Sequence, residues 1–226
     1  MGRTRTGVVV LGLLLAVVSA CSSASPKQSA LCELMTAQAG SAPTAVPGPG
    51  APVVVLGDSW TSGAELRDPA ASFAHLLVRA RGWNGLVEGW PGTGYLNAGA
   101  CGNQRFLDRV GAVPHDAGMV VIEGGLNDGA HPEQLPSAAH RLLVALAERA
   151  PRARLVVMGI PTVPAMGPAV RSSLDTALRQ VAAQDHAQFV PLDGLSLPIG
   201  PDGIHPTDVG HAQLAGYLAS TLAPPN

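Results

Sequence analysis

The chain has 226 residues, 46% hydrophobic and 13% charged, with a formal net charge of −2. That composition excludes a disordered chain. The slight negative charge gives no electrostatic basis for binding nucleic acid.

The chain begins with an address. Arg3 and Arg5 precede an apolar run from Gly7 to Ala20 that ends in small residues. The run is shorter than the roughly 20 residues a membrane span needs, so 1–20 reads as a signal peptide. Val18-Ser19-Ala20-Cys21 resembles a bacterial lipobox, in which the cysteine becomes the first residue and carries lipid. Acyl chains on Cys21 would hold the protein at a membrane surface without spanning it, outside the cytoplasm. An ordinary signal peptide with an incidental Cys21 is the other reading, and it makes the protein secreted.

Residues 21–50 are rich in Ser, Ala, Pro and Gly and read as a tether. Pro43, Pro47 and Pro49 leave no room there for a long helix or strand. The short apolar patch around Leu31, Cys32 and Leu34 interrupts it and is placed to dock on the domain. Residues 51–226 then form one domain by length.

Apolar runs predict strands at 53–57, 86–89, 118–123, 154–159 and 188–192. Helical spacing predicts helices from Ser72 to Arg81, Glu133 to Ala150, Pro168 to Asp185 and Thr207 to Leu222. Strands alternating with helices imply parallel pairing and a sheet covered on both faces.

Four short stretches fall at the ends of these strands. Gly57-Asp58-Ser59-Trp60 follows the first, and Trp90-Pro91-Gly92-Thr93-Gly94-Tyr95 the second. Gly125-Leu126-Asn127-Asp128 follows the third, and Asp202-Gly203-Ile204-His205-Pro206 precedes the last helix. In an open α/β sheet all four come to one edge, where ligands bind. A serine hydroxyl needs a base to act as a nucleophile, and histidine has a suitable pKa. Asp202, three residues before His205, can fix its tautomer. The N–H groups of Ser59 and Gly92 and the amide of Asn127 can receive a developing oxyanion. Taken singly, each stretch also reads as a turn or helix cap, with Ser59 or Thr61 capping one helix and Thr207 another. Their convergence favours chemistry.

In these four blocks, and in their order, the chain resembles the SGNH hydrolases, the GDSL esterase/lipase family. The resemblance spans nearly the whole domain. It implies a three-layer α/β/α sandwich around a five-stranded parallel sheet, of flavodoxin-like type. It further implies Ser59, Asp202 and His205 as catalytic residues, and Ser59, Gly92 and Asn127 as the oxyanion hole. Members hydrolyse esters, and some thioesters, with no metal and no cofactor. Trp60 departs from the Leu or Tyr more common beside the nucleophile. Val87 stands where many members carry an Asn.

Three other readings compete. Asp202, His205, Asp208 and His211 recur every three residues like metal ligands, but Pro206 breaks the stretch. Gly92-Thr93-Gly94 begins a dinucleotide fingerprint, but Asn97 stands where its third glycine belongs. A non-catalytic binding module on the same fold is the third.

The connections bearing the blocks are short, with no apolar insertion to cover a fatty chain. Trp60, Trp90 and Tyr95 flank them and are expected to stack on a sugar at the mouth of the site, with burial in the core as the alternative. The expected substrate is a small-molecule or glycan ester carrying a short acyl group, acetyl first. A long-chain lipase or thioesterase, or an O-acyltransferase on the same triad, is the alternative, and the expected state is a monomer. With Cys21 lipidated, Cys32 and Cys101 remain in an oxidising compartment, where a disulfide between them is the expectation and two free or buried thiols the alternative.

Overall fold

The computed structural model describes Gly2, Cys32, Glu33 and residues 43–102 and 104–225. The signal peptide, Cys21 and most of the tether lie outside the described residues. The elements in chain order are β1 (Thr44–Val46), β2 (Val53–Gly57), α1 (Ser59–Ser62), α2 (Phe73–Arg81), β3 (Gly85–Gly89), β4 (Met119–Ile122), α3 (Leu135–Arg149), β5 (Arg154–Met158), α4 (Pro168–Gln184), β6 (Gln188–Val190) and α5 (Asp208–Thr221). Three short 3₁₀ helices lie between them, at Pro69–Ala71, Phe106–Ala112 and Leu126–Asp128.

The sheet has six strands in the order β1-β3-β2-β4-β5-β6. Five run parallel, in register through Val87, Val55, Val121 and Val156 across four of them. The sixth, β1, pairs antiparallel with β3, Ala45 opposite Leu86. The five parallel strands are those expected, and β1 adds an edge strand within the stretch read as tether. Three residues between Pro43 and Pro47 suffice for an edge strand, where a missing N–H costs least. The last strand is shorter than expected, because Pro191 cannot donate to the ladder.

Strand residues alternate between two cores, as a period of two requires. Val54, Leu56, Val120, Ile122 and Val157 face one side and pack on α3 and α4 through Leu142, Leu143, Leu146, Leu174 and Leu178. Val53, Val55, Val121, Val156 and Met158 face the other and meet α2 and α5 through Phe73, Leu77, Leu214 and Leu218. Each such leucine stabilises the fold by about 1.5–3 kcal/mol when removed from water. Local signals fix the helix ends. The Ser72 side chain caps α2, Gly82 ends it in a left-handed conformation, and the Thr207 side chain caps α5.

The chain leaves β2 towards β3 on one side and later enters β4 on the other. The carboxyl ends of β2 and β4 therefore flank a topological switch point, the crevice where open α/β sheets bind ligands.

Candidate active site

Ser59 is the first residue of α1, directly after β2, and is 8% exposed. The Asp58 carboxylate caps this turn, accepting the Trp60 N–H at 3.0 Å. The turn sits so close to the strand that a Cβ at Gly57 would lie 2.1 Å from Thr61 Oγ1 and 2.6 Å from Glu123 Oε2. Only glycine permits that approach.

The loop before α5 delivers the partner. Gly200 N–H bonds His205 O at 2.7 Å, and Gly203 N–H bonds Gly200 O at 3.0 Å, closing the loop on itself. His205 Nε2 lies 2.9 Å from Ser59 Oγ, and His205 Nδ1 lies 2.5 Å from Asp202 Oδ2. Asp202 Oδ1 accepts the N–H groups of Ile204 and His205 at 2.9 and 3.0 Å. Partial burial raises the Asp202 pKa, but these bonds outweigh it and hold the carboxyl at about 2. A charged carboxylate on one ring nitrogen leaves the other free to take the hydroxyl proton.

Gly92 (φ 72) and Asn127 complete a cavity of about 160 Å³ with Ser59, His205, Glu65 and Leu126. The N–H groups of Ser59 and Gly92 have no hydrogen-bond partner among the described residues. Asn127 reaches the cavity, but its Nδ2 already donates to Thr93 O at 2.8 Å and Asp58 Oδ2 at 3.1 Å. An oxyanion would compete with Asp58 for one of those hydrogens.

The three aromatic residues are not at the mouth. Trp60 is 1% exposed, edge-on to His211, and Tyr95 is 4% exposed, edge-on to Phe106. Trp90 is half-buried, with its indole N–H on Glu88 at 3.0 Å. None lines the Ser59 cavity. Trp60 and Tyr95 take the alternative reading, burial in the core, since burying large rings outweighs exposing them. The acidic and histidine pattern does not converge either. His211 is turned into the core, where Nδ1 accepts the Phe73 N–H at 3.1 Å, and among the described residues no His/Cys/Asp/Glu group is arranged to hold a metal. Cys32 and Cys101 are joined as a disulfide with Cα atoms 4.9 Å apart.

Sequence reasoning missed a layer of buried polar residues beneath the site. Asp128 accepts the N–H groups of Tyr95, Leu96 and Asn97 at 3.0–3.1 Å. Arg109 donates to Gly57 O, Glu88 O and Thr93 Oγ1 at 2.9–3.1 Å. Glu123 accepts the Thr61 hydroxyl at 2.8 Å, and burial lifts its pKa to about 7. Burial, then the neighbouring Glu123 charge, lifts Asp58 well above the usual carboxylate range. Asp128, adjoining Asn127, was within reach of the motif. Nothing in the sequence marks Arg109.

Fold and site together define a class, an α/β enzyme built for attack on an ester-type carbonyl. The model of the GDSL-like lipase/acylhydrolase family matches residues 55–213. A GDSL lipase of Mycobacterium tuberculosis is 32% identical over 197 residues, which cover 76% of this chain and 80% of that protein. Among solved structures, TesA superimposes with a TM-score of 0.62 at 25% identity, over 76% of this chain and 98% of its own. A carbohydrate acetylesterase of Sinorhizobium meliloti does so with a TM-score of 0.63 at 20% identity, over the same shares. The chain belongs to the GDSL-like lipase/acylhydrolase family and is a carboxylic ester hydrolase.

Proposed function

We propose that the protein is a serine esterase that removes short acyl groups, acetyl foremost, from hydroxyls of a carbohydrate or another polar alcohol of the cell envelope. Ser59 Oγ attacks the ester carbonyl while His205 Nε2 takes its proton, with Asp202 orienting the ring. The tetrahedral oxyanion is held by the Ser59 and Gly92 N–H groups and by Asn127. His205 then protonates the departing alcohol, leaving an acyl group on Ser59. Water, activated by the same histidine, releases the acid.

The observation that carries this reading is the unbroken chain Ser59–His205–Asp202, at 2.9 and 2.5 Å, opening on a cavity of about 160 Å³. That volume suits a small acyl group, and the activity of the Sinorhizobium meliloti protein, a carbohydrate acetylesterase, agrees with it. The name of the Mycobacterium tuberculosis relative, a lipase, favours a second reading with longer acyl chains. An ester series from acetyl to palmitoyl separates the two: kcat/KM that climbs to the long chains overturns the short-acyl reading. Labelling of Ser59 by a fluorophosphonate, and loss of both label and turnover in Ser59→Ala, tests the mechanism.

In this reading residues 1–20 are removed, lipid on Cys21 anchors the protein outside the cytoplasmic membrane, residues 21–50 are the tether, and the enzyme is a monomer. Among the described residues no helix is long and apolar enough to cross a membrane. Metabolic lipid labelling that survives Cys21→Ser would overturn the anchor.

A further inference from the structure

The cavity at Ser59 opens on two neighbours of opposite character. On one side it shares Leu126, Asn127 and Ile204 with a pocket of about 90 Å³ completed by Val163, Ala165 and Met166. Five of those six side chains are apolar. On the other side it shares Glu65 and His205 with a groove of about 370 Å³ that runs past Asp202, Thr207 and Asp208.

The stereochemistry of the reaction distributes the substrate between them. A tetrahedral carbon on Ser59 Oγ carries three other substituents. The oxyanion faces the N–H donors of Ser59, Gly92 and Asn127. The leaving oxygen must lie at His205 Nε2, which hands it a proton, and the polar groove begins at His205. The acyl chain takes the remaining direction, past Leu126 and Ile204. Ile204 is 37% exposed, an isoleucine left uncovered at the rim of the Ser59 cavity.

We propose that the pocket formed by Leu126, Val163, Ala165, Met166 and Ile204 is the acyl-chain subsite, and that Met166 sets its depth. The pocket is the smaller of the two neighbours, about 90 Å³ against about 370 Å³, and its apolar lining suits a short acyl chain. Local structure makes the pocket firm. The Met166 N–H bonds Val163 O at 3.2 Å, closing a turn, and the Ala165 N–H bonds Gly203 O at 3.0 Å, tying that turn to the loop that carries His205. Met166 stands between the pocket and Gly129. A Cβ at Gly129 would meet the Met166 methyl at 3.3 Å and Val170 at 3.4 Å, and neither Gly129 nor Val170 lines the pocket. Removing the methionine side chain therefore extends the pocket towards Gly129 and Val170. The opposite groove, with Glu65, Asp202 and Asp208 along it, is left to the alcohol.

This assignment rests on Ser59 being the acylated residue. The test measures kcat/KM of the full chain on p-nitrophenyl acetate, butyrate, hexanoate and octanoate. Wild type is expected to fall at least about tenfold from butyrate to octanoate. Met166→Ala is expected to raise the hexanoate-to-acetate ratio by about tenfold, the scale on which a hydrophobic pocket discriminates one or two methylenes. Ala165→Trp, which adds bulk at the pocket wall, is expected to lower the butyrate-to-acetate ratio by a similar factor. If both variants keep the wild-type ratios within about twofold, the subsite lies elsewhere. Hydrolysis of none of the esters, or turnover that persists in Ser59→Ala, would instead overturn the esterase mechanism on which the assignment rests.

Discussion

Asn127 and Asp58 show how tightly single residues are committed at this site. The amide of Asn127 holds the Thr93 carbonyl with one hydrogen and the buried Asp58 carboxyl with the other. Asn127→Ala is expected to lower kcat by about 10²–10³ with little change in KM, as loss of one oxyanion donor does. Steady-state kinetics on a short ester reads this directly, and a pure KM effect would place Asn127 outside the oxyanion hole. Asp58 and Glu123 carry a second consequence. Burial raises both carboxyls, Glu123 from 4.5 to about 7. The folded protein thus keeps protons that the unfolded chain has released, so stability is greatest below about pH 4.5 for this group and falls as pH rises to about 7. Thermal melts of Glu123→Gln are expected to show a flatter pH dependence across that window, because the amide carbonyl still accepts the Thr61 hydroxyl. Parallel profiles for wild type and variant would remove Glu123 as the source. At this scale the sequence disclosed the residues that meet at the cavity, since Ser, Asn, Asp and His at strand ends form a pattern. It did not disclose Glu123, whose chemistry comes from burial rather than from its neighbours in the chain. It misdirected for Trp60 and Tyr95, because aromatic side chains beside a motif look the same in sequence whether they face solvent or core.

The elements bring the four blocks together through buried polar ties between loops. The Phe106–Ala112 3₁₀ helix supplies Arg109, which binds the carbonyls of Gly57 at the end of β2 and Glu88 in β3. Its guanidinium lies 3.3 Å from Glu88 Oε1, and both side chains are 4% exposed. Arg109→Ala would strand the Glu88 carboxylate in the interior. The expected loss of stability is about 3–5 kcal/mol, the cost of breaking a buried ion pair on one side. Urea denaturation checks it: a midpoint within error of wild type would mean that the pair contributes nothing. Strands β2 to β6 and the four longer helices were legible because a β-branched run or a helical stripe repeats over enough residues to stand out. β1 was not, because three residues between two prolines carry no period. Nor was the Phe106–Ala112 helix, which serves Arg109 rather than a continuous apolar face.

At the scale of the whole molecule, the sheet gives the site a rigid edge, and the disulfide brings a distant part of the chain to it. Cys32 lies before the first strand, and Cys101 lies in the loop that follows the Gly92 block, 69 positions further along the sequence. That loop is the one Asp128 gathers through three N–H groups, and its start, Thr93, is held by Asn127 and Arg109. Cross-linking a segment of this length removes freedom from the unfolded chain worth about 4 kcal/mol in the chain-entropy account. It also fastens Cys32 to the loop that follows the Gly92 block. Cys32→Ser is therefore expected to lower Tm by about 8–16 °C in a chain of this size. Because Asp128, Asn127 and Arg109 hold the loop independently of the bond, kcat on a short ester is expected to stay within about threefold of wild type. Differential scanning calorimetry and initial rates, each with and without reductant, test both halves. A wild-type Tm unmoved by reductant, with two thiols free to alkylate in the unreduced denatured protein, would mean the bond is absent. A Tm that falls together with a collapse in kcat would mean instead that the disulfide, and not the buried polar ties, holds the oxyanion loop in place.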